Sequence, residues 1–157
     1  METTKNSLAG FISSELVYLN CSYTTQDAFF SDSYQKLYKQ GFVEATYHEN
    51  ILVREAHYPT GLITSCLNIA IPHTDPLYIK KPFVAITQLA KPLTFLLMGS
   101  TDEKVDVDWI FSLGVTRDEN QIVLLQTLMS VFSDENKISQ LVGLDSREGI
   151  CEFFHSL

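Results

Sequence analysis

The first part of the chain carries apolar side chains at the spacing of a helix. After a short apolar stretch, Leu16–Leu19, an amphipathic helix is predicted by residues at i, i+4, i+7 and i+8: Phe30, Tyr34, Leu37 and Tyr38. Thr25 is a suitable N-cap and Gly41 a suitable stop. We therefore expect one helix between these two residues.

A second helix is predicted over Glu44–His57. The residues that share its apolar side are Tyr47, Ile51 and Arg54. Pro59 and Gly61 end this helix, because proline cannot continue a helix and glycine favours a turn. The Arg-Glu pair near the helix end therefore lies close in sequence to a Pro-Thr-Gly turn.

From Asn68 onward, the period of the apolar residues changes from that of a helix to that of strands. Short runs rich in β-branched and aromatic residues are bounded by proline, glycine or charge: IAI, FVAITQL, LTFLLM and VDVDWIFSLGV. The segment VDVDW alternates apolar and acidic residues, which predicts a strand with one face in water. The following residues, Ile110–Val115, are predicted to be buried on both faces.

The carboxyl-terminal part is predicted to be helical again. One apolar stripe consists of Ile122, Leu125, Leu128, Met129 and Phe132. Asp145 and Glu148 form a capping sequence before a last helix, whose apolar residues are Ile150, Phe153, Phe154 and Leu157. Helices on both sides of the strand segments predict an α/β sandwich, with a central mixed sheet flanked by helices.

The composition favours a single domain that spans residues 1–157. Of these 157 residues, 45% are hydrophobic and 19% are charged, which suffices for one core but not for two ordinary domains. The formal net charge of -8 opposes binding to a phosphate backbone, and the densest basic stretch, LYIKKP, is short. We therefore expect no nucleic acid partner.

Targeting signals and paired cysteines are both missing from the sequence pattern. The amino-terminal segment METTKNSLAG does not resemble a signal peptide, and no apolar run reaches the length of a membrane span. We expect a cytoplasmic protein without direct membrane insertion. Cys21, Cys66 and Cys151 are widely separated in apolar stretches, so we expect reduced structural cysteines rather than disulfides or a zinc site.

The stretch NIAIPHTDP, Asn68–Pro76, contains the main candidate for a reactive side chain. Pro72 cannot donate a ladder hydrogen bond and therefore ends the apolar strand, so His73 lies on a rigid strand exit. A side chain in such a place is already oriented, as a reacting group must be. From these residues alone, His73 is a buried structural residue, a metal ligand, a general base or a nucleophile.

Asp75 and Cys66 are candidate partners of His73. Asp75 either orients the imidazole, joins it as a metal ligand, or simply begins a turn. The pair lacks a third ligand, so we expect no metal or other cofactor. The remaining histidines lie in helical segments without metal-ligand spacing: His48, His57 and His155. A thiol and imidazole pair of Cys66 with His73 is supported only by the residue types.

Arg54 and Thr60 are candidates for binding an anion. An arginine can hold a phosphoryl group through several donors, whereas the alternative for Arg54 is an ion pair with Glu55 or another acidic residue. Thr60 can offer its hydroxyl and backbone N–H to an anion, or can cap the next segment. His57 is either a second histidine of the site or a helix-end residue favoured by the helix dipole.

Two stretches together form a recognisable pattern, REAHYPTGL (Arg54–Leu62) followed by NIAIPHTDP. They resemble the IIA domains of the bacterial phosphoenolpyruvate-dependent sugar phosphotransferase system (PTS), in the fructose/mannitol superfamily. That pattern is an R-E-x-x-x-x-T-G-L-like stretch followed by G-[IV]-A-[IVL]-P-H. The resemblance extends over nearly the whole chain, and the continuation P-H-T-D-P is most similar to galactitol-specific IIA proteins.

The resemblance implies a phosphoryl carrier with the mannitol-type IIA fold and no cofactor. His73 would accept a phosphoryl group from the phosphohistidine of the phosphocarrier protein HPr and pass it to a cysteine of a IIB component of a sugar permease. Arg54 and the Thr60 hydroxyl would neutralise charge on the phosphoryl oxygens. An apolar rim around His73 would dock the two partners in turn.

Two positions depart from the family pattern. Asn68 stands where the family usually has glycine. Gln121 stands where many mannitol-type and nitrogen-regulatory members have a second histidine; it can donate to a phosphoryl oxygen but cannot carry positive charge. This change favours the galactitol-like interpretation. The alternatives are a nitrogen-type regulatory IIA, a non-catalytic interaction module, and a metal hydrolase built on His73 and Asp75.

Overall fold

The computed structural model describes residues 10–157. Residues 1–9, which hold most of the segment METTKNSLAG, lie outside the described part. Five strands form one sheet in the order β1-β4-β5-β3-β2. Their bounds are β1, Val17–Cys21; β2, Gly61–Ile63; β3, Asn68–Ala70; β4, Phe83–Leu96; and β5, Lys104–Gly114. The sheet is mixed, because β1 pairs with β4 and β3 with β5 in parallel, whereas β2–β3 and β4–β5 are antiparallel.

Helices cover both faces of this sheet. Five α-helices lie wholly within the described residues: α1, Gln26–Lys39; α2, Tyr47–His57; α3, Asp118–Phe132; α4, Glu135–Val142; and α5, Arg147–His155. Neighbouring residues of β5 face opposite sides, since Ile110 packs in the cluster with α1 and α2 while Phe111 packs in the cluster with α3, α4 and α5. The predicted α/β sandwich with a central mixed sheet flanked by helices is confirmed.

The strand predictions were correct in the centre of the sheet and incomplete at its edges. In β5, Val105 and Val107 are buried and Asp106 is exposed, as the alternation predicts, and the residues from Ile110 to Val115 are all buried. The predicted strands 83–89 and 93–98 are instead one strand, β4, because both halves pair with β5 across an irregularity between Gln88 and Leu93.

Strand β2 has only three residues and was not predicted, yet it brings Thr60 beside β3. Gly61 pairs with Ala70. A Cβ atom on Gly61 would lie 2.5 Å from Val105 Cγ1 and 2.7 Å from the Leu96 carbonyl oxygen, so only glycine fits this close approach. Gly61 is therefore required by packing within β2, whereas α2 already ends at His57.

Several helix details differ from the prediction. Helix α2 begins at Tyr47, three residues later than predicted. In α3, Leu128 and Phe132 of the predicted stripe are buried, whereas Ile122 and Met129 are 59% and 40% exposed. The buried face is completed by Leu124 and Val131, which the stripe did not include. Tyr38 of the first predicted stripe is also exposed. The spacing in the sequence identifies large apolar residues, whereas packing against the sheet determines which of them are buried.

The helix caps were predicted correctly at one end of the chain and wrongly at the other. The Thr25 hydroxyl accepts from the backbone N–H of Ala28 at 3.1 Å, as expected of an N-cap. The last helix is capped by Ser146, whose hydroxyl accepts from the N–H of Gly149 at 2.9 Å, and not by Asp145. Helix α4 was not predicted as a separate element.

The three cysteines are free, but they do not share one environment. Cys151 is buried and Cys21 half-buried, whereas Cys66 is exposed. The prediction of a structural cysteine is therefore wrong for Cys66, because the loop after β2 carries it to the surface. Within residues 10–157, no helix is both long enough and apolar enough to cross a membrane.

Candidate active site

His73 lies where two parallel strands, β3 and β5, end. Beyond β3 the chain stays against β5, because the N–H of Leu113 donates to the carbonyl oxygen of Pro72 at 3.0 Å. A single bridge then pairs His73 with Leu113. The carboxyl ends of parallel strands are the edge at which α/β folds commonly bind ligands.

The imidazole of His73 is oriented by the backbone. Its Nδ1 lies 2.8 Å from the carbonyl oxygen of Ile71. A carbonyl oxygen can only accept, so Nδ1 is the protonated nitrogen of the neutral ring and Nε2 carries the free lone pair. Asp75 was a candidate for this task, but a backbone carbonyl makes the contact instead.

The surroundings of His73 favour its neutral form. Partial burial lowers the pKa of the imidazole, and the positive charge of Arg54 lowers it further. The hydrogen bond to Ile71 acts in the opposite direction and raises the pKa, because it stabilises the protonated ring. The net direction is downward, so His73 holds a free Nε2 lone pair at neutral pH.

Arg54 lies in the last turn of α2 and forms an ion pair, as one of its two alternatives allowed, with Asp75 rather than with Glu55. Its Nη1 lies 3.3 Å from Oδ1 of Asp75, and its guanidinium carbon lies 5.0 Å from the centre of the Tyr58 ring. The Nε atom of Arg54 is buried and has no hydrogen-bond partner among the described residues. Because a buried N–H without an acceptor is costly, this guanidinium has donor capacity left for an anion.

Glu55 and Thr60 join the end of α2 to the strand that leads to His73. Glu55 is only 4% exposed and accepts from the backbone N–H of Thr60 at 2.8 Å and from its hydroxyl at 3.0 Å. The Thr60 hydroxyl in turn accepts from the N–H of Ile71 at 3.2 Å. A continuous set of hydrogen bonds thus runs from Glu55 through Thr60 and Ile71 to His73.

The pKa of Glu55 is unusual for a carboxyl group. Burial raises its pKa to about 7, although the two hydrogen bonds from Thr60 lower it. Sequence reasoning missed Glu55 as part of the site. The available signal was a glutamate five residues before Thr60, at the end of a helix that turns directly into a strand.

The hydrogen bonds of Thr60 occupy the two donors with which it was predicted to bind an anion. Its hydroxyl has one proton, which it donates to Glu55. Its backbone N–H is also directed at Glu55. A direct contact from Thr60 to a phosphoryl oxygen would therefore require it to give up one of these hydrogen bonds.

Gln121 and His57 occupy different positions relative to His73. Gln121, in the first turn of α3, donates from Nε2 to the carbonyl oxygen of Thr74 at 3.1 Å, and so holds the residue directly after His73. His57 is exposed at the end of α2, and its Nδ1 is 2.9 Å from the carbonyl oxygen of Val53 in its own helix. The structure therefore brings Gln121 to the loop beside His73, and it places His57 at the end of α2, where it lines a small cavity together with Arg54 and Asp75.

Exposed apolar side chains flank the site and are here called the docking rim: Val53, Tyr58, Leu77 and Ile122. Val53 and Tyr58 line a small cavity of about 150 Å³ together with Arg54 and Asp75. Leu77 lies in the short 3-10 turn Pro76–Tyr78, and Ile122 follows Gln121 in α3. Among residues 10–157, no group of three or more histidine, cysteine, aspartate or glutamate side chains is arranged to hold a metal ion.

The fold is similar to that of solved IIA structures. The crystal structure of IIA mannitol from Escherichia coli aligns with a TM-score of 0.71 and 23% identity over 91% of this chain and 98% of that chain. The nitrogen regulatory protein IIA-Ntr from Neisseria meningitidis aligns with a TM-score of 0.75 and 21% identity over 93% of this chain and 97% of that chain. At these identities, the likeness shows the fold alone.

The sequence comparisons reach further than the fold. The galactitol-specific EIIA component of the PTS from Escherichia coli (strain K12) is 25% identical over 115 residues, which are 73% of this chain and 75% of the relative. The model of the family described as "Phosphoenolpyruvate-dependent sugar phosphotransferase system, EIIA 2" matches residues 10–156. The chain therefore belongs to this EIIA 2 family, the phosphoryl-carrying IIA components of the sugar phosphotransferase system.

Proposed function

We propose that Nε2 of His73 accepts a phosphoryl group from the phosphohistidine of HPr and passes it to a cysteine of a IIB component of a sugar permease. Family membership supports the carrier role in general. The observation that carries the choice of His73 is the 2.8 Å hydrogen bond from Nδ1 to Ile71, which leaves Nε2 as the free nucleophile.

The transfer needs no proton relay. As the donor N–P bond breaks, the Nε2–P bond forms, and His73 keeps its proton on Nδ1. The phosphorylated ring becomes positively charged, and the Ile71 carbonyl oxygen that accepts from Nδ1 stabilises that charge. Catalysis then consists of alignment and of neutralising charge on the phosphoryl oxygens.

Arg54 is the residue that neutralises the negative charge on the phosphoryl oxygens. Its positive charge acts on His73, and its buried Nε has no acceptor among the described residues. A guanidinium can donate to two phosphoryl oxygens at once. A phosphoryl group on Nε2 of His73 would offer acceptors to the guanidinium of Arg54, and the side chain would have to turn before its buried Nε could donate to them.

Thr60 and Gln121 have supporting roles. Thr60 holds the residue before Pro72 through the Ile71 N–H, and reaches a phosphoryl oxygen only when its hydroxyl leaves Glu55. Gln121 uses one N–H of its amide for Thr74, so its second N–H is free to donate to the phosphoryl group. Gln121 supplies no charge, so Arg54 is the main counter-charge in this mechanism.

HPr and the IIB component dock in turn on the docking rim, around His73. The apolar side chains of the rim suit a small interface that forms and separates quickly. A IIB partner is supported by the solved complex of IIA mannitol with phosphorylated IIB mannitol from Escherichia coli, whose IIA fold this chain shares. The net charge of -8 speeds encounter with a basic surface. We place this exchange in the cytoplasm.

Galactitol is the sugar class that the sequence relatives favour. A nitrogen-type regulatory IIA is the alternative, but the likeness to IIA-Ntr is one of fold and does not separate regulation from transport. The presence of Gln121 in place of a second histidine favours a galactitol-like IIA over a nitrogen-regulatory one.

Incubation with phosphoenolpyruvate, enzyme I and HPr tests the proposed function. We expect the wild-type protein to take up an acid-labile phosphoryl label, and His73→Gln to take up none. The matched control is His48→Gln, which removes a histidine that stacks on the Tyr34 ring and does not line the cavity of Arg54 and Asp75, and it should keep the label. A wild type without label would identify a non-catalytic module, and a label that survives in His73→Gln would assign the chemistry to another residue.

A further inference from the structure

The carboxylate of Asp75 has one partner, the guanidinium of Arg54. Asp75 precedes the 3-10 turn Pro76–Tyr78, but its side chain makes no capping hydrogen bond there. Among the described residues its only hydrogen bond or ion pair runs to Nη1 of Arg54 at 3.3 Å. This acidic side chain therefore acts on the residue that we assign to the phosphoryl group, rather than on the local turn.

We infer that Asp75 competes with the phosphoryl group for Arg54, and so limits how tightly the site holds phosphorylated His73. The inference rests on the proposed function and concerns the balance of that same site. It makes Asp75 a positioning residue that sets the phosphoryl transfer potential without touching the phosphorus.

The geometry of the ion pair allows this competition. Arg54 contacts Asp75 through a single nitrogen, and its side chain is 34% exposed while that of Asp75 is 66% exposed. Ion pairs so close to water are weak. A phosphoryl group offers three oxygens and nearly two negative charges, so it draws the guanidinium away from a single carboxylate.

Movement of Arg54 from Asp75 to the phosphoryl oxygens raises the free energy of the phosphorylated state. Asp75 lies two residues after His73 in the sequence. Thr74, the residue between them, is held by Gln121. When Arg54 turns to the phosphoryl oxygens, the carboxylate loses its counter-charge next to a new negative group. Both effects lower the affinity of the site for the phosphoryl group, which helps a carrier that must pass the group on.

The reaction itself provides a direct measure of this affinity. In the exchange between phospho-HPr and this protein, one N–P bond breaks and one forms, and no other group is transferred. Its equilibrium constant, defined with phosphorylated His73 as product, reports the affinity of the two proteins for the phosphoryl group. A residue that merely supports the fold would lower this constant when it is damaged, whereas removal of a competitor raises it.

The test is the equilibrium constant of exchange with isolated, labelled phospho-HPr. We expect Asp75→Asn to raise the constant about 2- to 10-fold, as loss of a weak ion pair and a nearby charge implies. Asp75→Glu keeps the charge and should return the constant toward the wild-type value. The matched control, Asp27→Asn, removes the same charge from the first turn of α1, where the exposed side chain makes no hydrogen bond or ion pair to another described residue, and should leave the constant unchanged.

The possible outcomes separate this inference from the proposed function. A wild type that takes no label from phospho-HPr overturns both. A labelled wild type with an unchanged or lower constant in Asp75→Asn overturns the role of Asp75 alone. An equal rise in Asp27→Asn also overturns it, because the effect would then come from overall charge rather than from Arg54.

Discussion

The carbonyl oxygen of Ile71 accepts a hydrogen bond from Nδ1 of His73 at 2.8 Å, across the intervening Pro72. The orientation of the imidazole therefore depends on a backbone group that cannot ionise. The N–H of the same Ile71 is bonded to Thr60, which is held by the buried Glu55. Nε2 of His73, the proposed phosphoryl acceptor, is thus positioned by the same hydrogen bonds that join α2 to β3.

Phosphoryl transfer to His73 is expected to persist at acidic pH. The pKa of His73 is lowered, first by burial and then by Arg54, and only the neutral ring is nucleophilic. The acid limb of kcat/KM for transfer from phospho-HPr should therefore lie below about pH 6.5, the ordinary value for histidine. In Arg54→Gln the limb should move to higher pH, because a charge that lowers the pKa is gone. An acid limb that stays in place would show that Arg54 does not act on the ring.

Arg54→Lys is expected to reduce kcat/KM for phosphoryl transfer by on the order of 10²-fold. Lysine keeps the charge but loses the planar fork that can hold two phosphoryl oxygens. The stability of the protein should change little, since the ion pair with Asp75 is partly exposed. The control is Arg117→Lys. The side chain of Arg117 is 72% exposed, and its Nη1 lies 3.7 Å from Oε2 of Glu119. Equal losses in the two variants would argue against a specific role for Arg54.

Glu55→Gln should change how stability depends on pH. Burial raises the pKa of Glu55 from 4.5 to about 7, so the folded state binds this proton more tightly than the unfolded state. Its contribution to stability is therefore fully present below about pH 4.5 and is lost as the pH rises to about 7, on the order of 3 kcal/mol. The difference in unfolding free energy between wild type and Glu55→Gln, measured with urea, should follow this course. The opposite slope expected from His73 is common to both proteins and cancels.

A flat difference between the wild type and Glu55→Gln across this pH range would contradict the assignment of Glu55 as a buried titrating group. It would mean that the carboxyl ionises as easily in the folded as in the unfolded protein.

Gln121→Ala is expected to lower the unfolding free energy by about 1 kcal/mol, because the carbonyl oxygen of Thr74 loses its hydrogen bond. Thr74 follows His73 directly, so the rate of phosphoryl transfer should fall as well. Asn120→Ala, one residue earlier and exposed, serves as the control in the same urea titration and rate assay. If the two variants behave alike, Gln121 does not hold the loop.

The placement of His73 could be predicted from the sequence because it follows from local rules. Pro72 must end a strand, and the apolar run before it must be buried, so the histidine emerges at a sheet edge. The alternation in VDVDW likewise fixes which face of β5 meets water. These features depend on neighbouring residues and on burial, which a sequence displays directly.

Other features depended on contacts between distant segments. The choice of Nε2 over Nδ1 comes from a turn of the backbone at Ile71, and the pairing of Arg54 with Asp75 joins α2 to the loop after β3. Strand β2 is three residues long and exists because β3 pairs with it. Glu55 stands in the R-E-x-x-x-x-T-G-L pattern, but its hydrogen bonds with Thr60 are defined only once that strand forms.

The central claim is that Nε2 of His73 carries the phosphoryl group. Its most direct test is the ¹⁵N and ³¹P NMR spectrum of the protein phosphorylated through HPr, with uniformly ¹⁵N-labelled histidine. We expect phosphorus coupled to Nε2 of His73, with the proton retained on Nδ1. Phosphorus on Nδ1, or on the ring of His48, His57 or His155, would contradict it.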